Sequence, residues 1–176
     1  RAASARRAPR SDGMSQTSTS NRIAVFPGTF DPITLGHLDL IRRSSRLYEQ
    51  LIVGVGENPE KSSLLKASER VEIVRQVVGE LGNVSVESYT GLTVDFARGC
   101  GAGVLLRGIR DAADLHIETA IAHTNRQVSG VETVFMLPAP RYAFISSRLV
   151  RQIAQAGGDV SGLVPPEVLA HLAKRP

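Results

Sequence analysis

Threonine, histidine and spaced glycines gather in one stretch, Val25-Phe26-Pro27-Gly28-Thr29-Phe30-Asp31-Pro32-Ile33-Thr34-Leu35-Gly36-His37, in a pattern suited to phosphate chemistry. An apolar run breaks into a Pro/Gly turn, and His37 follows at the start of the next helical pattern. Gly28 and Gly36 let backbone approach a ligand closely, while a helix start offers free N–H groups and a positive dipole end to anionic oxygen. His37 adds a side-chain donor aimed at the same place. Taken singly, Thr29 is equally a turn residue and His37 a partly buried helix histidine. Asp31 reads as a brace for the turn.

Three later clusters could serve the same chemistry. In Leu105-Leu106-Arg107-Gly108-Ile109-Arg110, two arginines follow an apolar run, and the guanidinium fork suits phosphate. The loop Gly56-Glu57-Asn58-Pro59-Glu60-Lys61 follows another apolar run, where an ammonium could bridge the phosphates of two substrates. In Arg141-Tyr142-Ala143-Phe144-Ile145-Ser146-Ser147-Arg148, two serines, exposed N–H groups and an arginine make a phosphate cradle, although serine at a helix start is also an ordinary cap. Asp114 and Glu118 lie one helical turn apart.

His116 and His123 have no clustered Cys, His or carboxylate beside them, so no metal ligands are assigned. Gly99-Cys100-Gly101-Ala102-Gly103 precedes a strand pattern instead of following one, so it lacks the logic of a dinucleotide turn. A P-loop sequence is absent too, so ATP binding would be of another type.

Positioning these groups requires strands alternating with helices. Apolar runs predict strands at 22–26, 51–55, 83–88, 104–106 and 131–137. Helical spacing predicts helices at 37–48, 68–80, 92–98, 112–127, 146–155 and 166–173, the first with Leu38, Leu40, Ile41 and Leu47 inward. The alternation implies a single α/β domain, Rossmann-like, with a five-stranded parallel sheet and helices on both faces over residues 21–176. Ligands in such sheets bind beyond the carboxyl ends of the strands, where the clusters above fall.

With 176 residues, 42% of them hydrophobic, the chain can build one ordinary core. Its formal charge of +4 is concentrated in residues 1–20, which hold four Arg and one Asp; the rest is nearly neutral. Bulk electrostatic binding of nucleic acid is therefore not expected, and no apolar run reaches the roughly 20 residues of a membrane helix. Cys100 alone excludes an internal disulfide and fits a reducing, cytoplasmic setting. Residues 1–20 read as a disordered leader or upstream segment; Met14 is a candidate start, and an organelle transit peptide is the other reading.

Thr34-Leu35-Gly36-His37 resembles the T/H-x-G-H signature of the nucleotidylyltransferase superfamily, and Pro27-Gly28-Thr29-Phe30-Asp31-Pro32 resembles the opening of bacterial phosphopantetheine adenylyltransferases. The resemblance extends in order over 22–173. It implies transfer of the adenylyl group of ATP to 4′-phosphopantetheine, giving dephospho-coenzyme A and pyrophosphate by direct in-line attack, with Mg2+ accompanying ATP. It further implies catalysis by His37, Thr29, Lys61 and Arg110, and ATP binding by Thr29, Phe30, His37, Gly108, Ile109, Arg110, Glu118 and the run Tyr142, Ala143, Phe144, Ile145, Ser146, Ser147 and Arg148. Thr29, Lys61, Thr93 and Arg107 would hold the acceptor, and relatives assemble as homohexamers.

Two features depart from the family pattern: Leu115-His116-Ile117 ahead of Glu118, and Arg148 where Ser or Thr is usual. Sibling enzymes with another acceptor, a nucleotide-binding regulatory module, and a leader that tethers a partner remain alternatives at this point.

Overall fold

The computed structural model describes residues 22–57 and 63–173. The expected leader at 1–20 and Lys61 lie outside the described residues.

Successive side chains of a strand face opposite ways. Ile23–Gly28 (β1) accordingly sends Ala24 and Phe26 into one apolar cluster and Val25 into another. Gln50–Gly56 (β2) divides Leu51, Val53 and Val55 from Ile52 in the same way, and Val104–Gly108 (β4) divides Val104 and Leu106 from Leu105. Strands buried on both faces belong in a parallel sheet covered on both sides. With Val84–Tyr89 (β3) and Glu132–Met136 (β5) at the edges, the order is β3-β2-β1-β4-β5 and every neighbouring pair is parallel.

Leu35–Ser44 (α1), Ala67–Val78 (α2), Ser147–Gln155 (α5) and Pro166–Leu172 (α6) cover the larger cluster, inserting Ile41, Val74, Val150 and Val168 among others. Thr93–Gly99 (α3) covers the second with Val94 and Ala97. Ala112–Ser129 (α4) is the exception: none of its residues is buried.

The expected helix at 37–48 is displaced for identifiable reasons. Thr34 caps α1, its side chain accepting from the His37 backbone N–H, so the helix begins at Leu35. At the other end, the Asn83 side-chain amide donates to the carbonyls of Ser45 and Tyr48 at 2.7 and 3.0 Å, satisfying acceptors that a continuing helix would have used. Leu47 is consequently 68% exposed instead of facing inward. A short 3-10 turn at Pro140–Tyr142, not anticipated from the sequence, precedes α5.

β1 lies where the strand order reverses, between β2 and β4. It is in register with β2 over six residue pairs, from Ile23↔Gln50 to Gly28↔Val55. With β4 it is in register only at Ala24↔Val104 and Val25↔Leu105. The carboxyl ends of β1 and β4 therefore part, and such a switch point is where parallel sheets bind ligands.

Candidate active site

A cleft of about 330 Å³ opens where β1 and β4 part. Its walls are the turn after β1, the start of α1, the segment after β4 and the start of α5. Among the residues the sequence singles out, Thr29, Phe30, His37, Arg107, Gly108, Arg110, Glu118, Tyr142, Ile145, Ser146, Ser147 and Arg148 line it together.

His37 occupies the third position of α1 and is held by a reciprocal cap. The Thr34 backbone N–H donates to His37 Nδ1 at 3.1 Å, and the His37 backbone N–H donates to Thr34 Oγ1 at 3.3 Å. A backbone N–H can only donate, so Nδ1 is an acceptor and the neutral ring carries its proton on Nε2. Burial, followed by the nearby charges of Arg110 and Arg107, lowers the His37 pKa to about 4. The ring is therefore a neutral Nε2–H donor near pH 7.

Phe30 supports it from below. Its φ of 48° is in the left-handed region, a strained setting for an aromatic residue, and its ring meets the His37 ring edge-on at 5.2 Å between centroids. Gly28 makes room for this, because a Cβ there would lie 2.9 Å from the Phe30 ring. At 2% exposure, Phe30 serves the cleft as a support behind His37.

Arg107 near the end of β4 and Arg110 just beyond it are both held by carboxylates of α4. Arg107 reaches Glu118 with Nε and Nη2 in a bidentate pair and donates through Nη1 to the Pro27 carbonyl at 3.1 Å, spanning the gap between β4 and β1. Arg110 pairs with Asp114 through Nε and Nη2 at 2.8 and 3.1 Å. The Arg110 guanidinium holds the Asp114 carboxyl below the usual carboxylate range, and the same hydrogen bonding raises Arg110. Gly108 between them is a close-approach glycine: a Cβ would come within 2.6 Å of Leu40 Cδ1.

The α5 wall is tied to the β1 turn. Asp31 is buried, as a brace should be, and its two oxygens accept from the Leu64 and Leu65 N–H groups, both at 2.8 Å. Arg151 of α5 donates to the Asp31 carbonyl at 3.0 Å and to its carboxylate at 3.3 Å. Ser146 caps α5, accepting from Leu149 N–H, whereas Ser147 Oγ donates to the Pro32 carbonyl at 2.7 Å. Arg151 escaped the sequence reading because it looks like any exposed helix arginine; only the fold brings Asp31 to it.

Two grooves of about 300 Å³ each adjoin the cleft on the far side of Arg107. The first is lined by Thr29, Gly56 and Tyr89, and the second by Thr93, Ile121 and Asn125; Arg107 lines both. Thr93 thus lies outside the main cleft, its hydroxyl 2.9 Å from that of Tyr89. Ile109, Ala143 and Phe144 do not line the cleft: Ile109 is buried with its N–H bonded to Met136 O, and Phe144 is 65% exposed.

Comparison with known proteins places the chain in a family. The cytidylyltransferase-like family model matches residues 25–153. A Synechocystis phosphopantetheine adenylyltransferase is 51% identical over 151 residues, covering 85% of this chain and 95% of its own. The Stenotrophomonas maltophilia protein of the same name is 48% identical, covering 90% of this chain and 94% of its own. A solved structure from Vibrio parahaemolyticus, described as a nicotinate-nucleotide adenylyltransferase, superposes with a TM-score of 0.63 over 85% of this chain and 90% of its own. At 18% identity it shows the fold alone. With about half its residues identical to these relatives over most of their length, and a sheet that parts at the expected strand ends, the chain belongs to the phosphopantetheine adenylyltransferase family.

Proposed function

We propose that this chain transfers the adenylyl group of ATP to 4′-phosphopantetheine, releasing pyrophosphate and dephospho-coenzyme A. ATP lies in the main cleft, its phosphates between the start of α1, Arg110 and the start of α5. The acceptor lies along the two grooves beyond Arg107, and its phosphate meets the ATP α-phosphorus beside Thr29. An acceptor phosphate oxygen forms the new bond to that phosphorus as the bond to pyrophosphate breaks, so no covalent enzyme intermediate is needed. Catalysis is then positioning and charge stabilisation.

In this reading His37 donates from Nε2 to the transferring phosphoryl group, Thr29 orients the attacking phosphate, and Arg110 with Lys61 offsets charge on the leaving pyrophosphate. One observation carries the reading: Thr29 lines both the main cleft and the first groove, so the two compartments meet at this residue.

Mg2+ would come with ATP. The carboxylates lining the cleft, Asp114 and Glu118, are both engaged by arginines, so phosphate oxygens and water are its natural ligands. Among the described residues no helix is long and apolar enough to cross a membrane, and a cytoplasmic setting suits the two phosphorylated substrates. Self-association, as a homohexamer, is supported by α4: Leu115, Ile117, Ile121 and Val128 are all exposed on a helix with no buried residue. Native mass spectrometry reads that assembly directly.

The activity is tested by pyrophosphate release from ATP and Mg2+ with 4′-phosphopantetheine, nicotinamide mononucleotide or glycerol 3-phosphate as acceptor. Release with the first alone supports the proposal. Release with another acceptor, or with none, overturns it.

A further inference from the structure

Arg70 is a cation placed inside the core. It occupies the inward stripe of α2 with Ile73, Val74 and Val77, and only 3% of it is exposed. An apolar residue would pack there without the cost of taking a guanidinium out of water. The group is instead directed at two backbone carbonyls, with Nη1 donating to Thr29 O at 2.6 Å and to Gly56 O at 3.0 Å.

The position of those carbonyls gives the contact its meaning. The last register pair of β1 and β2 is Gly28↔Val55, so Thr29 and Gly56 are the next residue on each strand. Arg70 holds the two strand ends together one step beyond the point where the ladder ends. Arg107 spans the other side of β1, from β4 to Pro27 O. The end of β1 is thus clamped by one guanidinium on each side. Thr29 and Gly56 also both line the first acceptor-side groove, so the Arg70 contact ties two of its lining residues together.

We propose that Arg70 is a positioning residue for adenylyl transfer. By fixing the Thr29 backbone against Gly56, it holds Thr29 at the junction of the ATP cleft and the acceptor groove. It is not among the lining residues of either compartment. The inference rests on the role given to Thr29 above. Its effect falls on the alignment of the two substrates, because other ATP-binding walls, at the starts of α1 and α5, have no bond to Arg70.

The test is a double-mutant cycle on the full chain with ATP, Mg2+ and 4′-phosphopantetheine. Arg70→Met removes the contact. Arg70→Lys, whose ammonium ends short of Nη1 and cannot hold both carbonyls, serves if the first variant fails to fold. At a temperature below the variant's Tm, kcat is expected to fall at least fivefold while the KM for ATP stays within twofold. Combining the Arg70 variant with Thr29→Ala is expected to leave kcat within threefold of the poorer single variant. A smaller loss of kcat, a larger change in the ATP KM, or a double variant that loses more than that overturns the inference. Thr29→Ala with wild-type kcat would instead remove the Thr29 reading, a separately visible failure.

Discussion

The Thr34 backbone N–H donates to Nδ1 of His37 at 3.1 Å, and this one bond decides which nitrogen of the ring faces substrate with a proton. A neutral imidazole so held is an Nε2–H donor, and burial, followed by the charges of Arg110 and Arg107, disfavours the imidazolium. We expect an NMR titration of the ligand-free protein to place the His37 midpoint near 4, with nitrogen shifts of the Nε2–H tautomer at pH 7. A midpoint near the ordinary 6.5 would contradict it. The sign for stability follows: the unfolded chain takes up the proton first, so His37's contribution is present above pH 6.5 and is lost as pH falls toward 4.

Removing Arg110 should act on two neighbours at once. With Arg110→Ala, the His37 midpoint should rise from about 4 toward its ordinary value, and the Asp114 carboxyl should lose the hydrogen bonds that hold it low. Burial, the largest influence on His37, is unchanged, so the rise is partial. The same variant should lower kcat at least tenfold by removing a cation that faces the leaving group. An unmoved His37 midpoint in this variant would show that burial and Arg107 set it without Arg110.

His37→Ala should separate chemistry from binding. The ring contributes one donor to a transferring phosphoryl group, whereas ATP is held by several walls of the cleft. We expect kcat to fall about 100-fold or more, the scale of losing one preorganised donor, with the KM for ATP within threefold. Near-normal turnover would remove His37 from the catalytic step.

The fold was legible because its periodicities are strong. β1, β2 and β4 are apolar on both faces, so the parallel sheet follows from alternation of strands and helices, whereas the strand order, and with it the switch point between β1 and β4, is visible only in the fold. That Thr29, His37, Arg107 and Arg110 line one cleft was legible because they stand just past strands or at a helix start, on the carboxyl edge of the sheet. Leu47 was misplaced inward because periodicity does not show that Asn83, far along the chain, occupies the carbonyls of Ser45 and Tyr48 just past α1. Arg151 and the Ser147–Pro32 bond join residues more than 100 positions apart, which no local pattern encodes. Arg70 left a readable trace that was not used, a charge in the inward stripe of an amphipathic helix.

Glu118 should act on the acceptor side through Arg107. Both of its oxygens are engaged by that guanidinium, whose remaining Nη1 bond reaches Pro27 O between the cleft and the grooves. Glu118→Gln replaces a bidentate charge-assisted pair with a weaker contact and loosens Arg107. We expect kcat/KM for 4′-phosphopantetheine to fall about tenfold while the KM for ATP changes less than threefold. The opposite split in steady-state kinetics would place Glu118 in direct contact with the nucleotide.

The two serines at the start of α5 should behave differently despite their adjacency. Ser146 Oγ accepts from Leu149 N–H, which leaves its own proton for a ligand oxygen. Ser147 Oγ gives its proton to Pro32 O at 2.7 Å, so the hydroxyl is committed to tying α5 to the β1 turn. Each serine replaced by alanine should cost about 1 kcal/mol of stability, one as a lost cap and the other as a lost hydrogen bond. Only Ser146→Ala should also raise the KM for ATP, by threefold or more, while Ser147→Ala leaves it within twofold. Denaturant midpoints and ATP kinetics of the two variants decide the matter. A larger KM effect from Ser147→Ala would mean that ATP draws the hydroxyl away from Pro32, making the α5 tether part of nucleotide binding.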